Sequence, residues 1–248
     1  MIKLMIVGRR RPGTTLAQHR QHIRHVHGEL VLRYIAESPE LAPQRYVQNA
    51  VFDGCYSAGT LATEPLASQC DFVTQIWATD MAAVGRSRAQ PFYLEHLRPD
   101  EPRFVDEATV AFMPVHEQLV RQSPDAAQAS VKLFGLTCRP TGATGASGDA
   151  TAAWNAALAA LAATPAGSGV ARHVRNAVLS PPGQTPPADQ IDEFWLHDAA
   201  AAQALAAAWQ ASVVQPLAAS GHIAADGAAT WLAHEQVLHA GSGWLHRA

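Results

Sequence analysis

Few cysteines and no long apolar run occur in this sequence. Its 248 residues include three cysteines, Cys55, Cys70 and Cys138, an odd number without any Cys-x-x-Cys spacing. Neither a disulfide framework nor a cysteine zinc site is indicated, which favours a reducing, cytoplasmic setting. The apolar stretch before the arginines at positions 9–11 is too short for a signal peptide or a membrane span, so we expect no membrane association.

Excess positive charge and nucleotide-binding motifs are also absent. The chain has 18 Lys and Arg against 21 Asp and Glu, a net charge of −3, whereas nucleic-acid-binding proteins usually carry a basic face. No Gly-rich phosphate loop, dinucleotide fingerprint or Ser/His/Asp order is present. We therefore expect no nucleic-acid partner and no cofactor. A hydrophobic fraction of 48% is enough for a globular core.

An internal repeat divides the chain. The stretch Arg45–Val51 returns as Arg172–Val178, close to half the chain length later. Other pairs recur in the same order: Lys3-Leu4 and Lys132-Leu133, Trp77 and Trp195, Gln90-Pro91 and Gln215-Pro216, His116-Glu117-Gln118 and His234-Glu235-Gln236. A period this long indicates two whole modules. We predict a first repeat at 1–120, a linker at 121–129 and a second, diverged repeat at 130–248.

Each half predicts the element order β-α-β-β-α-β from its apolar periodicity and turn residues. The first half has strand patterns at 4–7, 45–52, 72–78 and 107–115, with a long loop from 91 to 103. This order is ferredoxin-like, an antiparallel sheet with two helices on one face. We predict an α+β protein in which two such repeats pack sheet to sheet as an intrachain dimeric α+β barrel. It would be a monomer with this pseudo-dimeric barrel, or a homodimer.

Three motifs stand out beside the element order: Lys3-Leu4-Met5-Ile6-Val7, His27-Gly28-Glu29-Leu30-Val31 and Tyr46-Val47-Gln48-Asn49. Together with that order, they resemble the EthD-like family of dimeric α+β barrel proteins. The family often has proline where Glu29 stands. The resemblance implies a small-molecule pocket in a superfamily that includes lactone isomerases, polyketide cyclases, quinol-type monooxygenases and haem enzymes.

His27 is the candidate catalytic residue. It lies on the apolar side of the first helix pattern, where an imidazole could act as a general acid or base near neutral pH. The alternative is a core histidine whose hydrogen bonds are satisfied at a helix end. His19, His22 and His25 could share a helix face, but no carboxylate at ligand spacing completes a metal site, so none is predicted.

Candidate substrate-binding residues come from a strand and a loop. Tyr46, Gln48 and Asn49 lie on the repeated strand, whose second copy changes at the first two positions. His96 and Arg103 lie in the long loop, which the second half does not match in length, and loops beside a pocket often determine specificity. The alternative for these two residues is an ordinary surface loop.

Two classes of function fit the sequence. The first is a cofactor-independent isomerase, cyclase or lyase that acts on an apolar or aromatic catabolic intermediate, with His27 as acid or base. The second is a non-catalytic protein that binds a small molecule in a degradation pathway. A haem or monooxygenase-type member of the superfamily is the third alternative.

Overall fold

A computed structural model describes residues 1–56, 70–140, 148–180 and 186–241. The described elements alternate strands with short helices. The strands are β1 (Ile2–Gly8), β2 (Arg45–Tyr56), β3 (Phe72–Ala78), β4 (Ala111–Gln122), β5 (Val131–Thr137), β6 (Arg172–Val178), β7 (Gln190–Leu196) and β8 (Ala228–His239). The α-helices are α1 (Leu16–His22), α2 (Gly28–Glu37), α3 (Met81–Arg88), α4 (Glu101–Phe104), α5 (Gly148–Ala162), α6 (Pro165–Ser168), α7 (Ala199–Trp209) and α8 (Gln215–Ala219).

The chain divides into two compact units. The first contains β1 to β3, α1 to α4, the start of β4 and the end of β8. Its sheet has the antiparallel order β4-β1-β3-β2. The second contains the rest of β4 and β8 with β5 to β7 and α5 to α8, and its order is β8-β5-β7-β6, again antiparallel.

These elements confirm the predicted α+β class. The sheet-to-sheet packing of two ferredoxin-like repeats and the domain limits remain predictions. None of the described helices is long and apolar enough to cross a membrane.

The strand β4 differs from its prediction at both ends. It begins at Ala111 instead of residue 107, because Asp106 accepts a hydrogen bond from the backbone N–H of Ala108 and starts a 3₁₀ turn at Glu107–Thr109. It continues to Gln122, inside the predicted linker. The predicted loop at 91–103 instead contains a π turn at Tyr93–Leu97 and most of α4.

One arrangement of side chains occurs in both units. In the first, Lys3 pairs across the sheet with Trp77, which pairs with Arg45. Both cations lie about 5 Å from the Trp77 ring centroid, at 5.2 and 4.9 Å. In the second, Lys132 and Arg172 flank Trp195 at 4.1 and 4.8 Å. A cation over an indole ring is attracted by the ring's negative face, so each central strand is held to both neighbours by the same contact.

A glycine in β5 leaves room for a tryptophan in the second unit. Trp209, at the end of α7, is fully buried, and its ring stands edge-on to Phe194 at 5.5 Å. A Cβ at Gly135 would lie 2.5 Å from Cζ2 of Trp209. The indole therefore occupies the space directly above this strand.

We expect Gly135→Ala to destabilise the protein by about 1–3 kcal/mol, because the added methyl group overpacks the Trp209 ring. Gly85→Ala is the matched control. No atom lies within 4 Å of a Cβ there, and alanine inside a helix such as α3 is favoured over glycine by about 0.5–1 kcal/mol. Urea unfolding of both variants measures the difference. Equal midpoints for the two variants would contradict this account of the Gly135 position.

Candidate active site

A cavity of about 300 Å³ lies in the first unit, between its sheet and its helices. We call it the main cavity. Alternate residues of β1 and β3 form its floor, including Leu4, Ile6, Thr74 and Ile76, because successive side chains of a strand point to opposite faces. Its other walls come from α2 and from the segment 93–107. A mostly apolar concave site with a few polar groups is typical of small-molecule pockets.

His27 lines the main cavity at the end of a π turn, Ile23–His27. In a regular α-helix, residues five apart point about 140° away from each other, whereas the i to i+5 repeat of a π turn places them nearly in line. The π turn therefore brings His22 and His27 to the same side of the helix. Gly28 follows the π turn in a tightly packed position. A Cβ there would lie 3.1 Å from Leu238 and 3.2 Å from the Ile23 carbonyl oxygen.

Both histidines bind one carboxylate, that of Asp100. Nε2 of His22 lies 2.9 Å from Oδ1, and Nδ1 of His27 lies 3.2 Å from Oδ2. Asp100 is 4% exposed. Burial alone would raise the pKa of this carboxyl, but the hydrogen bonds from His27 and His22 outweigh burial and lower it. Asp100 is therefore an anion over most of the pH range.

The carboxylate of Asp100 determines which ring nitrogen of neutral His27 carries the proton. A carboxylate only accepts hydrogen bonds, so Nδ1 of His27 donates, and in the neutral ring Nε2 carries the free lone pair. No described residue bonds Nε2. The ring of Phe104 packs against His27 at a centroid distance of 4.8 Å and stacks on His22 at 5.1 Å. The imidazole is thus fixed in orientation with one nitrogen available.

A second polar group at the main cavity is the Tyr46–Gln48 pair of β2. Tyr46 lines the cavity, and its hydroxyl oxygen accepts a hydrogen bond of 2.6 Å from Nε2 of Gln48. The same amide also donates to the Ile23 carbonyl at 2.6 Å. Burial raises the pKa of the Tyr46 phenol, so the group stays protonated. Its own proton is therefore available to an oxygen in the cavity.

Several other polar groups that line the main cavity bond to one another. The hydroxyl of Tyr93 donates to Glu101 at 2.5 Å. Burial and then this carboxylate raise the pKa of Tyr93 to about 12. Arg98 bonds Glu101 at 3.2 Å and Glu107 at 2.5 Å. These residues form an ion-paired, hydrogen-bonded edge of the cavity.

The predicted site residues do not all reach the main cavity. His27 and Tyr46 line it, and Gln48 bonds Tyr46. The Asn49 side chain lies on the other sheet face, where it donates to the Val73 carbonyl at 2.9 Å and to Gln75 at 3.3 Å. His96 and Arg103 line an outer groove that Asp100 also lines, and Nη1 of Arg103 lies 3.8 Å from Oδ1 of Asp100.

Asp100 was not among the predicted site residues. Its only sequence signal is a carboxylate within the long loop that also carries His96 and Arg103. In the described residues no group of three or more His, Cys, Asp and Glu is arranged to hold a metal ion.

We expect Asp100→Asn to lower the free energy of unfolding by about 1.5–3 kcal/mol near neutral pH, because hydrogen bonds to a buried charge are lost. The folded pKa of Asp100 lies below its unfolded value of 3.8. Its contribution is therefore complete above that value and is lost as the pH falls through the lower folded pKa. The difference between wild type and variant should shrink below about pH 4.

Urea unfolding at several pH values tests this. Glu37→Gln, which removes an exposed carboxylate paired with Arg33, is the control and should change stability by less than about 0.5 kcal/mol. A difference that is independent of pH would show that Asp100 does not act through its charge.

Comparisons with known proteins agree with this architecture. The family model described as "EthD domain" matches residues 11–108. No curated protein matches the chain significantly. Among solved structures, an anthrone oxidase-like protein has a TM-score of 0.55 at 13% identity, covering 100% of this chain and 96% of its own. A candidate chlorite dismutase has 0.50 at 9% identity, with 98% of both chains covered. A candidate monooxygenase from Fusobacterium nucleatum has 0.49 at 9% identity, with 96% and 92% covered.

At these identities the solved structures show the fold alone, and the two with TM-scores of 0.55 and 0.50 agree with the α+β class. The matched segment contains His27, Tyr46, Gln48 and Asp100. The EthD-like resemblance is therefore confirmed over residues 11–108, the segment that matches the EthD domain model.

Proposed function

We propose that the protein is an enzyme that moves a proton on a small, largely apolar molecule bound in the main cavity. The observation that carries this proposal is the His27–Asp100 pair at the wall of an apolar cavity. A carboxylate that bonds one nitrogen of an imidazole fixes its tautomer and stabilises the imidazolium that forms when the other nitrogen takes a proton. The ligand we propose is a largely apolar ring compound with a carbonyl oxygen.

His27 and Tyr46 would divide the reaction between them. Nε2 of His27 removes a proton from a carbon next to the carbonyl group, and the electron pair moves onto the carbonyl oxygen. The Tyr46 hydroxyl donates a hydrogen bond to that oxygen as negative charge develops. Return of the proton to a different atom gives an isomerisation. Attack of the carbanion on a second carbonyl group of the same molecule gives a cyclisation, in which the new C–C bond forms, the C=O π electrons move to oxygen, and that oxygen takes the proton from His27. Neither path needs a cofactor.

Gln48 and Asp100 act as positioning residues. The Gln48 amide donates to the Tyr46 oxygen, so the tyrosine proton is directed elsewhere. Asp100 holds the His27 ring against Phe104. We do not assign Asn49, His96 or Arg103 to the chemical step, because their side chains lie outside the main cavity.

We also propose that the chain is a tandem duplication with one working pocket. The repeated Lys-Trp-Arg contact supports a common origin of the two units. In the second unit, Trp209 fills the space above Gly135, and no histidine in α5 corresponds to His27. The second copy would then serve to complete the fold, which single-repeat relatives obtain from another chain. A cytoplasmic location fits the free thiols of Cys70 and Cys138.

Nitrobenzisoxazole tests the acid–base chemistry without knowledge of the natural substrate. A base removes its ring C–H proton, the C–H electrons form the nitrile, and the N–O bond breaks to release a coloured phenolate. An imidazole held in an apolar cavity should accelerate this elimination. We expect His27→Gln to reduce the rate by about 100-fold, because a positioned general base typically contributes at least that factor.

His116→Gln is the matched control, since this histidine is exposed and outside the main cavity. It should keep the wild-type rate. The proposal fails if the wild-type protein is no faster than the same concentration of free imidazole, or if His27→Gln leaves the rate unchanged. Saturable binding of the probe without elimination would instead support a non-catalytic binding protein.

A further inference from the structure

A second cavity of about 410 Å³ adjoins the main cavity. The two cavities share three lining residues, Ile23, Phe72 and Thr74. Gln48 lies at their junction, because it lines the second cavity while its amide bonds Tyr46 of the main cavity. The Gln48 side chain, which also bonds the Ile23 carbonyl, therefore stands between the two cavities, and a ligand that reaches both must displace it.

Two arginines on the α1 side of the second cavity have no carboxylate partner in the described part of the chain. Arg20 donates from Nη2 to the Val51 carbonyl at 2.5 Å, and its Nε is buried without an acceptor. Arg24 donates to the amide oxygen of Gln236 at 2.7 Å. A half-buried guanidinium that bonds only neutral groups keeps most of its charge available to an anion.

The other titratable groups of the second cavity do not cancel this charge. Asp71 is paired with Arg10 at 2.6 Å and also accepts from the Arg10 backbone N–H. His19 is buried, and desolvation lowers its pKa, so it is neutral. Its Nδ1 bonds the Phe104 carbonyl, which leaves Nε2 as an acceptor without a donor. That nitrogen suits a hydroxyl group, while Arg20 and Arg24 suit a negative charge.

We propose that the two cavities form one binding site for an apolar molecule that carries a carboxylate. The apolar body would lie in the main cavity beside His27, and the carboxylate would bind Arg20 and Arg24 in the second cavity. This inference rests on the proposed function and narrows its substrate class to acids. An arginine pair at the far end would also set which carbon faces Nε2 of His27, since the anion fixes the orientation of the ligand.

Two fluorescent probes with the same aromatic body test the inference. Anilinonaphthalene sulfonate carries an anionic group that stands in for the carboxylate, and N-phenylnaphthylamine lacks it. We expect the sulfonate to bind the wild-type protein more tightly than the neutral amine. The double variant Arg20→Gln/Arg24→Gln should lose about tenfold or more in affinity for the sulfonate, because hydrogen bonds to a charged group are removed. Its affinity for the neutral amine should not change.

Arg33→Gln is the matched control for lost positive charge, because Arg33 is exposed and pairs with Glu37 outside both cavities. It should leave both affinities unchanged. Binding of the neutral amine to the double variant shows that the fold and the main cavity are intact. Added salt should weaken sulfonate binding in the wild type more than in the double variant.

The outcomes separate the two proposals. If both probes bind the wild type equally, or if the double variant keeps its sulfonate affinity, the acid-binding inference is wrong and the proposed function stands. If neither probe binds, the main cavity is not a ligand site and the proposed function fails with it. Equal losses in Arg33→Gln and the double variant would show a general charge effect, and would also overturn the inference.

Discussion

The pocket of the first unit depends on the hydrogen bonds between one buried carboxylate and two histidines. Removal of a carboxylate from water is costly unless donors replace the solvent. His22 and His27 supply those donors to Asp100. The same contacts attach the segment before α4 to the helix that carries His27. Both segments line the main cavity, so the carboxylate that orients the imidazole also joins two parts of the cavity wall.

The π turn explains why α-helical periodicity does not predict that His22 and His27 bind the same carboxylate. Steps of three and four residues place His19, Ile23 and His27 on one face and give no reason to group His22 with His27. An additional residue in the turn rotates the second histidine back toward the first. Asp100 is far away in sequence and lies in a stretch that composition predicts as loop. The sequence therefore identifies a histidine that lines the main cavity, while its partner Asp100 depends on backbone geometry that local periodicity does not encode.

The direction of a side chain is easier to predict on a strand than in a loop. Alternation along β2 separates Tyr46 and Gln48 from Asn49, and only the choice of face was open. The structure resolves that choice, since Tyr46 lines the main cavity and Asn49 bonds across the other face to Gln75. For His96 and Arg103, no periodicity restricts direction. Both line the outer groove, together with Asp100, which is close to them in sequence.

The first unit has a cavity at the position where the second unit has Trp209, and the helix after the capping aspartate differs in length between them. The sequence already indicates this difference in length. Asp80 and Asp198 cap equivalent helices, since each accepts a hydrogen bond from the residue three positions later. Gln90-Pro91 follows Asp80 by ten positions, whereas Gln215-Pro216 follows Asp198 by seventeen. The shorter α3 ends at Arg88. The longer α7 continues to Trp209, which packs on Gly135. The corresponding strand of the first unit instead carries Ile6, which lines the main cavity. Three more helical residues, or nearly one turn, thus bring an indole onto the strand of the second unit, where the first unit has a cavity.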